Sequence, residues 1–327
     1  MRIVVASGKG GTGKTTVATS LALAAAEQVA VRVLDCDVEA PNAALFLHPT
    51  LNQRKEVGIL LPVVDETKCT YCGKCAEVCE FHAIAVIGKK TLVFPELCHG
   101  CGSCTLNCPE KAIRERLDVM GILESGPTPG GIDFARGVMN VGEPMAVPII
   151  RELKKWKPMS LRAAAGRATE SIEIKRQSNP LIDEGIASGE SAPRTSSPHG
   201  NDIIEIRDAP PGASCPVVET MRGADFALLV TEPTPFGLHD LKLVAEIARE
   251  LGIPAGVVVN RDGIGDNAVE AWCAEAGLPI LMRIPMERRF AEAIASGQTL
   301  VEAAPEYREK FSALLSRIQK QVEGEMI

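Results

Sequence analysis

Short apolar runs recur along this chain, with stretches of helical period between them. The first run, Ile3-Val4-Val5-Ala6, is largely β-branched, and residues 16–27 beyond it are rich in alanine and leucine. These patterns predict a strand over 2–6, buried on both faces, and then a helix. Further strands are expected over 31–37, 203–208, 226–231, 255–260 and 279–284. Helices are expected over 148–155, 237–251 and 268–276, and from Glu287 and Pro305 onward. Such alternation predicts an α/β fold: a doubly wound, mostly parallel sheet covered on both faces. Two segments break the pattern. Residues 63–115 are dense in cysteine, and 157–201 have no apolar period and many turn formers. The expected organisation is therefore one α/β domain in two parts, 1–62 and 116–327, interrupted by a small α+β module over 63–115. The chain returns to the main domain through 137–143, and 157–201 reads as a disordered loop within its second part.

Between the first strand and helix lies Gly8-Lys9-Gly10-Gly11-Thr12-Gly13-Lys14-Thr15, followed by Thr16. This fits G-x-x-x-x-G-K-[ST] in its required strand–loop–helix setting, the signature of P-loop NTPases. The glycines let backbone N–H groups turn inward around phosphates, and the helix N-terminus adds its positive end. Lys14 is placed to reach the β and γ phosphates, and the Thr15 hydroxyl to ligate Mg²⁺. Carboxylates stand at two further strand ends: Asp35 and Asp37 after Val31-Arg32-Val33-Leu34, and Asp208 before Ala209-Pro210-Pro211-Gly212.

The second lysine of the loop, Lys9, together with those carboxylates, makes the chain resemble the deviant-Walker ATPases of the MinD/ParA/Mrp group, which includes nitrogenase iron protein. The resemblance implies a homodimer with ATP sandwiched at its interface and Lys9 contacting phosphate in the partner subunit. It also implies that Asp37 orients the attacking water, Asp35 helps to hold the metal region, and Asp208 holds Mg²⁺ through water. Asn260 and Pro285 fall at strand ends. By the same likeness Asn260 reads the adenine amino group, and the loop at Pro285 packs on the base.

Cysteine gives the second motif. Cys69-x2-Cys72-x2-Cys75-x3-Cys79 is repeated 29 residues later as Cys98-x2-Cys101-x2-Cys104-x3-Cys108, and Gly73 and Ala83-Ile84 recur as Gly102 and Ala112-Ile113. Three closely spaced cysteines wrap one cubane, and the fourth, beyond a helical turn, ligates the other cluster. The expected ligand sets are Cys69, Cys72, Cys75 and Cys108 for the first [4Fe-4S] cluster, and Cys98, Cys101, Cys104 and Cys79 for the second. The segment resembles bacterial two-cluster ferredoxins, with Glu80 standing where the second run has Pro109. Four-cysteine zinc sites are the competing reading of such spacings. Of the three remaining cysteines, Cys36 and Cys273 read as small core residues. Cys215 follows the Pro210-Pro211-Gly212 turn, near where the nitrogenase relative holds a bridging cluster.

The net charge of −7 and the lack of any basic block argue against nucleic-acid partners. No apolar run approaches the ~18 residues of a membrane span. The apolar stripe Phe311, Leu314, Leu315, Ile318 and Val322 on the last helix reads as core packing. Eleven cysteines without an expected secretion signal point to a reducing cytoplasm. The sequence therefore predicts a cytoplasmic Mg-ATP-dependent ATPase, a nucleotide-switched homodimer that handles iron–sulfur or metal cofactors for an apo-protein client. ATP-gated electron transfer, and a spatial positioning protein whose clusters sense redox state, are the alternatives.

Overall fold

The expected first strand forms as β1 (Arg2–Ala6), and every later expected strand appears within a few residues of its place. The computed structural model describes residues 1–157 and 203–324; the loop expected over 157–201 lies, from residue 158, outside the described residues. The remaining strands are β2 (Val31–Asp35), β3 (Gln53–Val64), β4 (Ile84–Ile87), β5 (Lys90–Val93), β6 (Ile113–Pro127), β7 (Asp133–Met139), β8 (Ile204–Asp208), β9 (Phe226–Thr231), β10 (Ala255–Asp262) and β11 (Ile280–Pro285). The helices are α1 (Lys14–Ala26), α2 (Ala44–Leu47), α3 (Lys74–Glu77), α4 (Ser103–Leu106), α5 (Val147–Lys155), α6 (Cys215–Met221), α7 (Pro235–Glu250), α8 (Ala268–Glu275), α9 (Arg288–Ala295), α10 (Leu300–Ala303) and α11 (Glu306–Glu323).

Nine strands make one sheet in the order β11-β10-β9-β1-β8-β2-β7-β6-β3. From β11 to β7 all pairings are parallel. Successive side chains of a strand point to opposite faces, and β1 shows the result. Ile3 and Val5 pack with α1 and α11, whereas Val4 and Ala6 pack with α6, α7 and α8. The α11 stripe is core as expected: Phe311, Leu314, Leu315 and Ile318 are buried, and only Val322 reaches solvent. Cys36 and Cys273 are likewise buried.

The sheet's far edge departs from the expectation. Pairing becomes antiparallel from β7 to β6 and from β6 to β3, so the sheet is mixed. Neither β3 nor β7 was expected as such, and β6 is far longer than the short strand that the cysteine repeat implies after Ala112; 137–143, read as a simple return, is the end of β7 and the turn after it. β3 and β6 form a long ribbon running from Gln53↔Ser125 to Val64↔Ile113, with a bulge that leaves Met120 without a partner. Met120 is buried, and the core here joins Val57, Met120 and Leu123 to Ile149, Ile150 and Leu153 of α5. The cysteine segment is the head of this ribbon. Its ends meet because Val64 and Ile113 are ladder partners, and its stem belongs to the main sheet. The boundaries at 62 and 115 therefore cut through a continuous hairpin.

Candidate functional site

The loop between β1 and α1 rises at the C-terminal end of the sheet. Gly13, at φ +90°, caps α1 in the left-handed region that favours glycine. A Cβ there would lie 2.4 Å from Asn260 Nδ2, and one on Gly8 would lie 2.4 Å from Asp240 Cβ. The loop is thus pressed between α7 and the end of β10. Asn260 ties it down further, since Nδ2 donates to the Thr12 carbonyl at 2.7 Å and Oδ1 accepts from the Arg261 N–H at 3.0 Å. The Asn260 amide is engaged in bracing the loop, and one lone pair of Oδ1 remains for a base amine.

Lys14 is buried, which pulls its ammonium pKa down, while Asp208 and Asp37 act in the opposite direction. Thr15 Oγ1 donates to Asp208 Oδ2 at 2.6 Å, and Asp208 Oδ1 is buried without a partner. An orphaned carboxylate oxygen beside a threonine hydroxyl suits a hard cation with oxygen ligands, so these residues fit Mg²⁺. Asp35 is the ladder partner of Asp208 and also has a backbone task. Its oxygens accept from the backbone N–H groups of Asp37 and Ala43, at 3.3 and 2.9 Å, so it fastens the loop that carries Asp37. Burial and the neighbouring Asp208 push the Asp35 carboxyl well above the usual range. Burial also raises Asp37, against the pull of Lys14.

Lys14, Thr15, Asp37 and Asn260 border one cleft of ≈ 590 Å³, lined also by Gly10, Gly11, Gly13, Thr16 and Pro285, whereas Asp35 and Asp208 are buried and do not line it. That size suits a nucleotide. Lys9 is not among the lining residues. Its Nζ lies 3.3 Å from Glu232 Oε2, while Arg261 Nη1 lies 2.6 Å from Glu232 Oε1. Neither Glu232 nor Arg261 was expected from the sequence. Glu232 follows β9 and Arg261 is the last residue but one of β10, both on the ligand side of the sheet, and that position was the available signal.

Burial pushes the Asp208 carboxyl up to about 6. An acid held above its unfolded pKa contributes stability below the ordinary carboxylate range and loses that contribution as pH rises through about 6. Mg²⁺ needs the carboxylate, so its binding has the opposite dependence. We expect Mg-ATP affinity to fall about tenfold per pH unit below about pH 6, and Asp208→Asn to abolish that slope. Calorimetric titration between pH 5 and 8 measures both. A wild-type affinity independent of pH would place the metal contact elsewhere.

On the ribbon head the cysteine repeat becomes geometry. Cys69, Cys72, Cys75 and Cys108 line one void, and Cys79, Cys98, Cys101 and Cys104 line another. Backbone N–H groups donate to sulfur at matching points: Tyr71 to Cys69 and Gly100 to Cys98, both at 3.4 Å, and Ala83 to Cys79 and Ala112 to Cys108, both at 3.3 Å. The left-handed residues also match in pairs, Tyr71 with Gly100, Gly73 with Gly102, and His82 with Lys111. Among the described residues, no three His, Cys, Asp or Glu side chains are grouped to hold a single metal ion. The second void lies nearer the sheet. It is lined by Leu60 and Pro62 of β3, and the first by Val64. Cys215 is exposed at the start of α6, away from both voids.

The model of the CobQ/CobB/MinD/ParA nucleotide-binding domain matches residues 3–301, nearly the whole chain. The chain belongs to this family. The mostly parallel sheet and the nucleotide-sized cleft over the glycine loop agree with membership. An uncharacterised protein of Methanocaldococcus jannaschii is 28% identical over 303 residues, 92% of each chain. The iron–sulfur cluster carrier protein of the same organism is 28% identical over 133 residues, 36% of this chain and 46% of that protein. Among solved structures, the septum site-determining protein MinD of Pyrococcus horikoshii, complexed with Mg-ADP, is 19% identical, with a TM-score of 0.50 over 98% of this chain and 96% of that one. That likeness is one of fold. Among the described residues, no helix is long and apolar enough to cross a membrane.

Proposed function

We propose that this family member is a Mg-ATP-dependent ATPase that works as a nucleotide-switched homodimer and carries two [4Fe-4S] clusters on its ribbon head. The observation that carries the cluster reading is the division of eight cysteines into two sets, each with its own void. Each void draws three sulfurs from one run and the fourth from the other. The repeated N–H···S contacts support the same reading, because donors aimed at sulfur stabilise thiolate charge. Bound there, the clusters would supply one-electron redox capacity.

The ATPase part of the proposal rests on positioning. Lys14, Thr15 and Asp208 hold the triphosphate and its Mg²⁺, and Asp37, on the loop fastened by Asp35, orients the attacking water. Charge neutralisation and orientation suffice for phosphoryl transfer. Nucleotide state can reach the clusters through α5. This helix packs on β3, β6 and β7, and its Lys154 pairs at 3.1 Å with Glu219 of α6, the helix that follows Pro210-Pro211-Gly212. A cycle that closes with ATP and opens on hydrolysis then suits cofactor handling, with an apo-protein as client. The likeness to an iron–sulfur cluster carrier favours this role.

A second reading is favoured by the complete four-cysteine sets, which leave no open ligand position and suit resident redox centres. ATP would then gate electron transfer. Linkage separates the two. If the clusters are resident, ATP affinity differs between dithionite-reduced and oxidised protein, with tenfold corresponding to ~1.4 kcal/mol of coupling. If they are cargo, iron leaves for an apo-acceptor during turnover. We expect ATP-dependent loss of iron to the acceptor. Retained iron with redox-dependent affinity would replace handling by electron transfer.

A further inference from the structure

Glu232 follows β9 directly, beside the point where β1 opens into the phosphate loop, and only 5% of it is exposed. Its two oxygens meet cations from two different elements, Lys9 of the phosphate loop and Arg261 at the end of β10. The turn that carries Glu232 is firmly held. Thr234 Oγ1 accepts from the Gly237 N–H at the start of α7, and Thr231 Oγ1 donates to the Gly237 carbonyl at 2.8 Å. A Cβ on Gly237 would come within 2.2 Å of the Glu232 carbonyl oxygen, and one on Gly265 within 1.3 Å of that of Pro233. Two glycines are thus required for this turn to pack as it does. Lys9 differs, with a third of its side chain exposed on the loop.

We propose that Glu232 is a positioning residue, a latch that keeps Lys9 against its own subunit until a second copy of this chain presents its bound triphosphate. The inference rests on the trans-acting reading of Lys9 and adds what restrains that lysine beforehand. Glu232 divides one negative charge between two cations, so its hold on either is weakened. A facing triphosphate offers Lys9 several negative charges, and the exchange favours phosphate once two copies close. In a lone subunit the latch keeps Lys9 off its own nucleotide, which suppresses hydrolysis before the dimer forms.

The test uses the full chain. Lys9 acetylation by limiting reagent is read by peptide mass spectrometry against the exposed Lys320, in nucleotide-free wild type, Glu232→Gln and Arg261→Ala. Lys9 is expected to label about threefold faster in Glu232→Gln, the scale of one partly exposed ion pair. It should label more slowly than wild type in Arg261→Ala, where the carboxylate is no longer shared. A general loosening of the site would speed both variants, so opposite signs isolate the latch. Equal rates in all three proteins, or faster labelling in both variants, overturn it. Light scattering with saturating Mg-ATP is the second measurement, and Glu232→Gln should dimerise at lower protein concentration than wild type. An unchanged midpoint overturns the latch. A wild type that stays monomeric, with labelling of opposite sign, removes the trans-acting reading and keeps the Lys9–Glu232 restraint.

Discussion

Protein purified without oxygen will be brown and contain about eight irons per chain, and its cysteines will sort by void rather than by run. Cys72→Ser and Cys108→Ser come from different runs, yet both line the first void. Their double variant should keep about four irons and one intact cluster signal by electron paramagnetic resonance. Cys72 and Cys79 belong to one run and line different voids. Their double variant should lose both signals and nearly all iron. A run-by-run pattern, in which Cys72→Ser with Cys79→Ser spares one cluster, would mean that each run folds around its own site. Stoichiometric zinc with no visible charge-transfer absorption would remove the clusters altogether.

Loss of Lys14 should be the most damaging change in the nucleotide cleft. Its ammonium is buried beside Asp37 and Asp208, with no other lysine lining the cleft. Lys14→Ala is expected to weaken ATP binding on the order of 100-fold, the scale of a lost charged hydrogen bond to phosphate. Lys9→Ala should behave differently, because Lys9 is held by Glu232 outside the cleft of its own subunit. We expect ATP binding within about threefold of wild type and turnover reduced about 1,000-fold, the effect of withdrawing a charge supplied in trans. Calorimetry gives the binding and phosphate release the turnover. Wild-type hydrolysis by Lys9→Ala would show that no lysine acts across a dimer. Asp37→Ala should share the Lys9→Ala profile, since water orientation concerns the reaction and not the affinity.

The strands that carry the phosphate loop were legible because both their faces are buried. β1, β9 and most of β10 read as continuous apolar runs, β2 and β8 as β-branched segments interrupted by Arg32, Glu205 and Arg207, and their ends were expected to within a few residues. β3, β7 and the full length of β6 were not legible. Gln53-Arg54-Lys55-Glu56 opens β3 at the sheet's edge, where charged side chains face solvent and shield the free backbone. Ile113-Arg114-Glu115-Arg116 opens β6 in a similar way, so neither start resembles a buried strand. Their pairing joins residues separated by the whole cysteine segment, and no local pattern reports such a contact.

The sequence by itself determined what depends on spacing along the chain. A phosphate loop needs its glycines, lysine and threonine consecutively between a strand and a helix, and eight cysteines in two matched runs are local in the same sense. Both sites could therefore be expected residue by residue. Tertiary structure decided what depends on elements meeting across the sheet. It set Asn260 against Thr12, made Asp35 a fastening for the Asp37 loop beside Asp208, and closed Glu232 on Lys9 and Arg261. It also raised the cysteine module on a ribbon whose stem shares a core with α5. The physical reason is range. Motif chemistry is written in neighbours a few residues apart, whereas these contacts join residues up to 248 positions apart and exist only once the strands have taken their order.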